Sequence, residues 1–139
     1  MAFTAEQLKI IYNRTSGYCH ICHKKGAFKN YGVVGARGAW EVEHSNPKAK
    51  GGTNRLNNLF PACIPCNRSK GAKNTRSVRG KNGKTRAPLS IEKRKKAKTA
   101  NAVAGGAAGA AIGSAFGPAG VLVGALIGAH FGQKKNPDK

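Results

Sequence analysis

The chain has 139 residues, with 25 lysines and arginines against 5 acidic residues, and its net charge is +20. This length favours one domain with at most a short second module. So large a positive excess destabilises a compact fold by self-repulsion. It therefore indicates a polyanionic partner, either nucleic acid or an anionic membrane surface. We expect no small-molecule substrate. The first ten residues lack the basic start and apolar core of a cleavable signal peptide.

Residues 4–14 predict a short amphipathic helix. Thr4 followed three residues later by Gln7 is a capping-box pattern. Leu8, Ile11 and Tyr12 are spaced so that they fall on one helix face. We expect this face to pack on a core.

Two Cys-x-x-Cys pairs follow, and their members are Cys19, Cys22, Cys63 and Cys66. Each pair can deliver two thiolates to one metal ion, and two pairs complete a tetrahedral zinc site. This spacing favours zinc over disulfides, with metal-free cysteines or a redox pair as the alternatives. His20 and His23 could replace a cysteine ligand. Because four thiolates already complete the site, we expect both histidines to be exposed or to contact phosphate.

Between and after the cysteine pairs the pattern predicts two strands and a helix. Residues 40–44 alternate apolar and acidic side chains, which is typical of a strand. Residues 45–58 are rich in Asn, Gly and Pro and predict a loop, and residues 59–62 predict a second strand. Pro65 suits the first turn of a helix, and Gly71 suits its end.

Three polar residues in this stretch could carry phosphodiester chemistry. A histidine such as His44 can act as a general base towards water. Glu43 and Asn67 are hard oxygen donors that suit Mg²⁺ or Mn²⁺. Glu43 lies at a strand end and Asn67 follows Cys66. Closing a zinc clamp is therefore expected to bring Asn67 towards Glu43.

The stretch from residue 19 to about residue 71 resembles the HNH endonuclease family, which has the ββα-metal fold. The residues that carry the resemblance are Glu43-His44, Gly51-Gly52, Asn58-Leu59 and Cys63-x-x-Cys66-Asn67-x-x-Lys70-Gly71. The chain departs from the family in two places. Glu43 stands where Asp is usual, and Asn67 stands where many members have His.

The resemblance implies an α+β nuclease module with a catalytic set of His44, Asn58 and Asn67. His44 would be the general base, and Asn58 would brace the loop between the strands. Glu43 and Asn67 would bind the catalytic Mg²⁺ or Mn²⁺, and the four cysteines would hold a structural zinc. DNA contacts are expected from the following basic residues: Lys48, Lys50, Arg55, Arg68, Lys70 and Lys73.

The remainder of the chain differs in composition. Residues 76–100 are expected to be a basic linker, and residues 72–98 are expected to be largely disordered when free. Residues 102–131 contain no Lys, Arg, Asp or Glu, and glycines recur at four-residue intervals: Gly105, Gly109, Gly113, Gly117, and then Gly120, Gly124, Gly128 and Gly132. This glycine-zipper pattern lets helices approach closely in lipid.

Pro118 interrupts this apolar segment, so a kinked single span and a re-entrant hairpin both stay open. A soluble, self-associating Gly/Ala-rich tail is the alternative to a membrane segment. We expect membrane association through residues 102–131 and homo-oligomer formation through the glycines. The heavier positive flank lies before the segment, so the nuclease would stay on the cytoplasmic face.

Taken together, the sequence predicts a nuclease domain at residues 1–75, a basic linker at residues 76–100 and an apolar helical segment at residues 101–133. The expected function is a metal-dependent, membrane-associated DNA endonuclease of low sequence specificity. A non-catalytic, zinc-stabilised nucleic-acid-binding module and a membrane-inserting protein with a nuclease-like domain are the competing hypotheses. The chain would be encoded by a bacterium or phage and act at the inner membrane or inside a target cell, as a toxin, a phage-defence enzyme or a mobile-element nuclease.

Overall fold

The structure is a computed structural model that describes residues 2–138, apart from the side chain of Phe116. These residues divide into two compact units, with the boundary between Ile91 and Glu92. The first unit mixes helices and strands in this order: α1 Ala5–Asn13, β1 Trp40–His44, β2 Leu59–Cys63, α2 Ile64–Lys70 and α3 Thr75–Lys81. The second contains α4 Ile91–Gly113, apart from its first residue, and α5 Gly117–Lys134. The predicted α+β class is confirmed.

Helix α1 begins with the predicted capping box. The Thr4 hydroxyl accepts a hydrogen bond from the Gln7 backbone N–H at 3.2 Å, and Gln7 Oε1 accepts one from the Thr4 N–H at 3.0 Å. These bonds satisfy two N–H groups that a helix start otherwise leaves unpaired. The inner face of α1 places Ile11 in a core cluster with Trp40 and Leu59.

The two strands form an antiparallel pair in which Trp40 lies opposite Cys63 and His44 lies opposite Leu59. The end of β2 therefore lies beside the start of β1. Helix α2 leaves β2 at that point, and its last residue, Lys70, contacts the carbonyl of His44 at the end of β1. As predicted, α2 has a proline in its first turn and ends at Gly71.

Helix α3 corrects the expectation of a disordered linker from residue 76. Asn74 caps this helix by accepting a hydrogen bond from the Arg76 N–H at 2.9 Å. Thr75 and Arg79 are buried, and Val78 packs against the cysteine cluster. These three positions follow the i, i+3, i+4 spacing of a buried helix face, but two of the three residues are polar, which hid the pattern.

In the second unit, α4 and α5 pack as an antiparallel hairpin, so the apolar segment is not one continuous helix. Its glycines face each other in pairs: Gly105 with Gly128, Gly109 with Gly124, and Gly113 with Gly120. A Cβ added to Gly105, Gly109, Gly113, Gly124 or Gly128 would overlap the backbone carbonyl oxygen of the partner glycine. The face that was expected to meet another molecule thus meets the other half of the same segment.

The ends and the turn of this hairpin have distinct chemistry. Arg94 of α4 forms an ion pair with Asp138 after α5. The turn between the helices contains Gly117 at φ +77°, a left-handed conformation that glycine adopts readily.

Among the residues that the structure describes, no helix combines the length and the apolar content needed to cross a membrane.

Candidate active site and zinc clamp

The four cysteines lie close enough together to hold one metal ion. Their sulfur atoms all fall within 4.8 Å of one another, and Sγ of Cys22 is 3.7 Å from Sγ of Cys63. Four sulfurs at about 2.3 Å from a tetrahedral zinc lie about 3.8 Å apart, so the cluster fits this ion. All four are free cysteines. The predicted four-cysteine cluster is therefore confirmed as a possible zinc site.

The thiols of this cluster differ in the direction in which their pKa values are shifted. Hydrogen bonds from Cys19 and Cys63 lower the pKa of Cys22 to about 2, whereas burial raises the pKa of Cys66 to about 12. One thiolate is thus stabilised by its neighbours, and further thiolates are unfavourable without a cation. A bound zinc would remove that penalty because its ligands bind as thiolates.

His20, next to Cys19, corrects the expectation of an exposed histidine, because only 3% of it is exposed. Arg79 Nη1 donates to Nε2 of His20 at 2.9 Å. A guanidinium can only donate, so Nε2 is the acceptor and Nδ1 carries the proton. Nδ1 lies 2.5 Å from Glu43 Oε1 and donates to it. Burial lowers the pKa of His20, which matches this neutral tautomer.

Glu43 lies at the centre of this buried network and is 1% exposed. Besides His20, its carboxylate accepts a hydrogen bond from Thr75 Oγ1 at 2.8 Å and lies 3.2 Å from the Lys70 ammonium. Burial alone would raise the pKa of Glu43. The donors from His20, Lys70 and Thr75 outweigh burial and hold its pKa below the ordinary value, so the carboxylate is charged.

The two predicted catalytic metal ligands are not joined in the structure. Asn67 Nδ2 donates to Glu41 Oε2 at 3.1 Å, and Arg68 donates to Glu41 Oε1 at 3.0 Å. Alternation along β1 places Glu41 and Glu43 on the same face. Because α2 starts beside the beginning of β1, its middle reaches Glu41 and only its end reaches Glu43.

Whether Glu43 and Asn67 can share one divalent ion depends on which of their oxygen atoms are open. Both oxygens of Glu43 already accept hydrogen bonds from buried donors, whereas Asn67 is turned towards Glu41, to which its Nδ2 donates. A Mg²⁺ or Mn²⁺ ion needs open oxygen atoms from both side chains. Glu43 and Asn67 therefore do not fit one shared ion as they stand.

Among the predicted DNA-contacting residues, Lys70 departs from expectation. Lys48, Lys50, Arg55, Arg68 and Lys73 are exposed. Lys70 is 3% exposed, and its Nζ donates to the His44 carbonyl at 2.7 Å as well as pairing with Glu43. Its position at the end of α2 turns it inward, so it supports the strand end and is not available to phosphate.

His44 is only partly buried, at the end of β1. Its Nε2 lies 2.8 Å from Oδ1 of Asn54. An amide oxygen only accepts, so with this amide orientation Nε2 carries the proton and Nδ1 keeps its lone pair. Asn54, in the loop between the strands, thereby selects the tautomer of His44.

Asn58 joins the two ends of that loop. Its Oδ1 accepts from the Asn46 N–H at 2.8 Å, and its Nδ2 donates to the carbonyls of Asn46 and Thr53 at 3.0 and 2.9 Å. All three bonds go to backbone groups of the loop. Through these bonds Asn58 holds the loop together.

Sequence reasoning missed four residues around the site: His20, Asn54, Thr75 and Arg79. Three of them are buried polar groups whose partners are distant in sequence, so no local pattern marks them. Asn54 belongs to an asparagine-rich loop in which nothing distinguishes one amide from the next. The helical spacing of Thr75 and Arg79 was the one available signal.

Comparison with known proteins supports the resemblance of the central segment. A family model described as HNH endonuclease matches residues 19–73. This match includes both cysteine pairs, both strands and α2. No curated protein and no solved structure matches the chain.

Proposed function

We propose that this chain is a metal-dependent endonuclease that hydrolyses DNA phosphodiester bonds with little sequence preference, because residues 19–73 match the HNH endonuclease family model. The observation that carries the proposal is the position of His44 and its hydrogen bond to Asn54. This histidine lies at a strand end, is open to solvent on one side and has Nε2 held by Asn54. A histidine fixed in this way has one nitrogen, Nδ1, free to accept a proton.

In the proposed reaction His44 Nδ1 accepts a proton from the attacking water. The Asn54 contact keeps the imidazole in the tautomer that can do so, and Asn58 keeps the loop that carries Asn54 folded against Asn46 and Thr53. Positioning of this kind reduces the entropic cost of bringing water, base and phosphate together.

The exposed basic residues around this loop are the proposed contacts to DNA phosphates. Lys48, Lys50 and Arg55 lie in the loop, and Arg68 and Lys73 lie on and after α2. Phosphate contacts give affinity and orientation without sequence information. Low sequence specificity follows from this kind of binding.

The proposal includes Mg²⁺ or Mn²⁺, which supplies charge neutralisation when it binds at phosphodiester sites. Asn67 and Glu43 were its expected ligands. We assign no step to this ion, because the Glu43 oxygens are engaged by His20, Lys70 and Thr75.

The test is supercoiled plasmid cleavage by the zinc-loaded full chain with Mg²⁺, Mn²⁺ or excess EDTA. Nicked or linear product with either metal, and none with EDTA, is the expected result. Binding of plasmid without cleavage under every metal condition would contradict the proposal. That outcome would favour the non-catalytic nucleic-acid-binding module.

A second proposed property is association of the hairpin with anionic membranes. No Lys, Arg, Asp or Glu occurs from residue 99 to residue 133, whereas both ends of the hairpin carry lysines. The outer faces expose Ile112, Leu122 and Leu126 at 69–75%. An apolar body with a basic end suits insertion among anionic lipids.

A flotation assay with vesicles of phosphatidylglycerol and phosphatidylcholine tests this second proposal. The full-length chain should float with the vesicles, and Leu122→Ser with Leu126→Ser should weaken flotation. Recovery of the unaltered chain wholly in the unbound fraction would contradict it. Membrane association would place the nuclease at the cytoplasmic face of the inner membrane or in a target cell, in toxin, phage-defence or mobile-element roles.

A further inference from the structure

Thr75, the first residue of α3, holds both chain neighbours of His44. Its backbone N–H donates to the Ser45 carbonyl at 3.2 Å. Its hydroxyl donates to the Glu43 carboxylate at 2.8 Å. Thr75 is fully buried, and it lies 30 residues after Ser45 in the chain. A single residue of α3 therefore holds the chain immediately before and after His44.

Two further contacts hold the chain around His44. Lys70 Nζ donates to the carbonyl of His44 itself at 2.7 Å. Arg79, one helical turn after Thr75, donates to His20, which in turn donates to Glu43. The backbone carbonyls of His44 and Ser45 and the side chain of Glu43 are thus bonded to the end of α2 and to α3. The outer side of His44 is held by Asn54.

The HNH match ends at residue 73, so Thr75 and Arg79 lie outside it. We propose that Thr75 is a positioning residue for His44, with Arg79 supporting it through His20, and that α3 belongs to the catalytic module. This inference rests on the proposed function, because it takes His44 as the general base.

The physical reason is the location of His44 where the sheet ends. His44 is the last paired residue of β1, and beyond it the Ser45 N–H bonds to the Asn58 carbonyl. Loss of the Thr75 hydroxyl removes one donor from a buried carboxylate and loosens the turn that aims the imidazole. A displacement near 1 Å costs up to about 100-fold in rate.

The experiment compares Thr75→Val with Thr75→Ser in steady-state cleavage of plasmid DNA. Valine has nearly the shape of threonine but lacks the hydroxyl, whereas serine keeps the hydroxyl. Every variant keeps the backbone N–H. We expect Thr75→Val to lower kcat by about 10- to 100-fold with unchanged KM for DNA. Thr75→Ser should restore kcat to within a few-fold of the unaltered chain.

Ser77→Ala is the matched control on α3, because Ser77 is exposed on the same helix. It should leave kcat and KM unchanged. Zinc content and thermal unfolding of each variant show which of them are folded at the assay temperature. Should Thr75→Val be unfolded there, Arg79→Met takes its place, with an expected several-fold loss of kcat at unchanged KM.

His44→Ala separates this inference from the proposed function. Cleavage that survives His44→Ala overturns the proposed function, whatever the Thr75 variants do. Loss of cleavage in His44→Ala together with unchanged kcat in the folded Thr75→Val or Arg79→Met variant overturns the inference alone. An equal loss in Thr75→Ser and Thr75→Val also overturns it, because packing and not the hydroxyl would then be responsible.

Discussion

The ammonium of Lys70 lies 3.2 Å from the Glu43 carboxylate, and the two side chains are 3% and 0% exposed. This ion pair joins the end of α2 to the end of β1 inside the protein. Charges that are buried together depend on each other, because removal of one leaves the other without solvent or partner.

Glu43→Gln should therefore destabilise the first unit strongly. We expect the free energy of unfolding to fall by about 3–5 kcal/mol, since the Lys70 charge would stay buried without its counter-ion. Urea denaturation in zinc-saturated buffer measures this. Glu41→Gln is the matched control on the same strand face, and its partly exposed pair with Arg68 should be worth about 0–1 kcal/mol. Equal effects of the two substitutions would contradict the buried-pair assignment.

The cysteine cluster should bind one zinc per chain. Cys63→Ser should lose the metal and unfold the first unit, because structural zinc contributes directly to the folding free energy. Metal analysis and far-UV circular dichroism measure both effects, with Ser69→Ala as an exposed control on the following helix. Folded protein that contains no zinc would contradict the clamp.

Exposed basic residues of the first unit should set the salt dependence of DNA binding. Neutralising Lys73, Arg76 and Lys81 together by glutamine removes three exposed charges near α3. Each phosphate contact contributes about 0.9 to the slope of log K against log salt, so the slope should decrease by about 2–3. Fluorescence anisotropy at several salt concentrations measures it. An unchanged slope would show that these residues do not contact DNA.

The hairpin offers a matched pair of glycine substitutions on one helix. A Cβ at Gly109 would overlap the Gly124 carbonyl, whereas a Cβ at Gly106 would lie 3.5 Å from the Ala125 carbonyl, an ordinary contact. Gly109→Ala should lower the melting temperature of the hairpin. Gly106→Ala should leave it unchanged or raise it, because alanine favours helix by about 1 kcal/mol over glycine. Thermal circular dichroism of the full chain measures both, and equal melting temperatures would contradict the glycine pairing.

Much of the first unit could be predicted because its signals are local. The capping box of α1, the alternation of β1 and the Pro65 start of α2 each depend on residues only a few positions apart. The cysteine cluster could be predicted from the two Cys-x-x-Cys pairs, because a four-cysteine zinc site requires both pairs to meet in space.

The buried polar network could not be predicted, because its contacts join residues that are far apart in the sequence. His20 and Glu43 bond across 23 positions, and Glu43 and Thr75 across 32. The density of basic residues predicted a solvated linker at residues 76–100. Arg79 is nevertheless buried, with His20 as the acceptor of its hydrogen bond. Composition also could not decide between a single helix and the α4–α5 hairpin.

The most direct test of the central claim is plasmid cleavage by His44→Ala, with DNA affinity measured in parallel. His130→Ala is the matched control, because His130 is exposed in the second unit. Loss of a general base should lower the cleavage rate by about 10²- to 10⁴-fold, while DNA affinity and zinc content stay unchanged. His130→Ala should cleave like the unaltered chain. Cleavage by His44→Ala at the unaltered rate would contradict the assignment of His44 as the base.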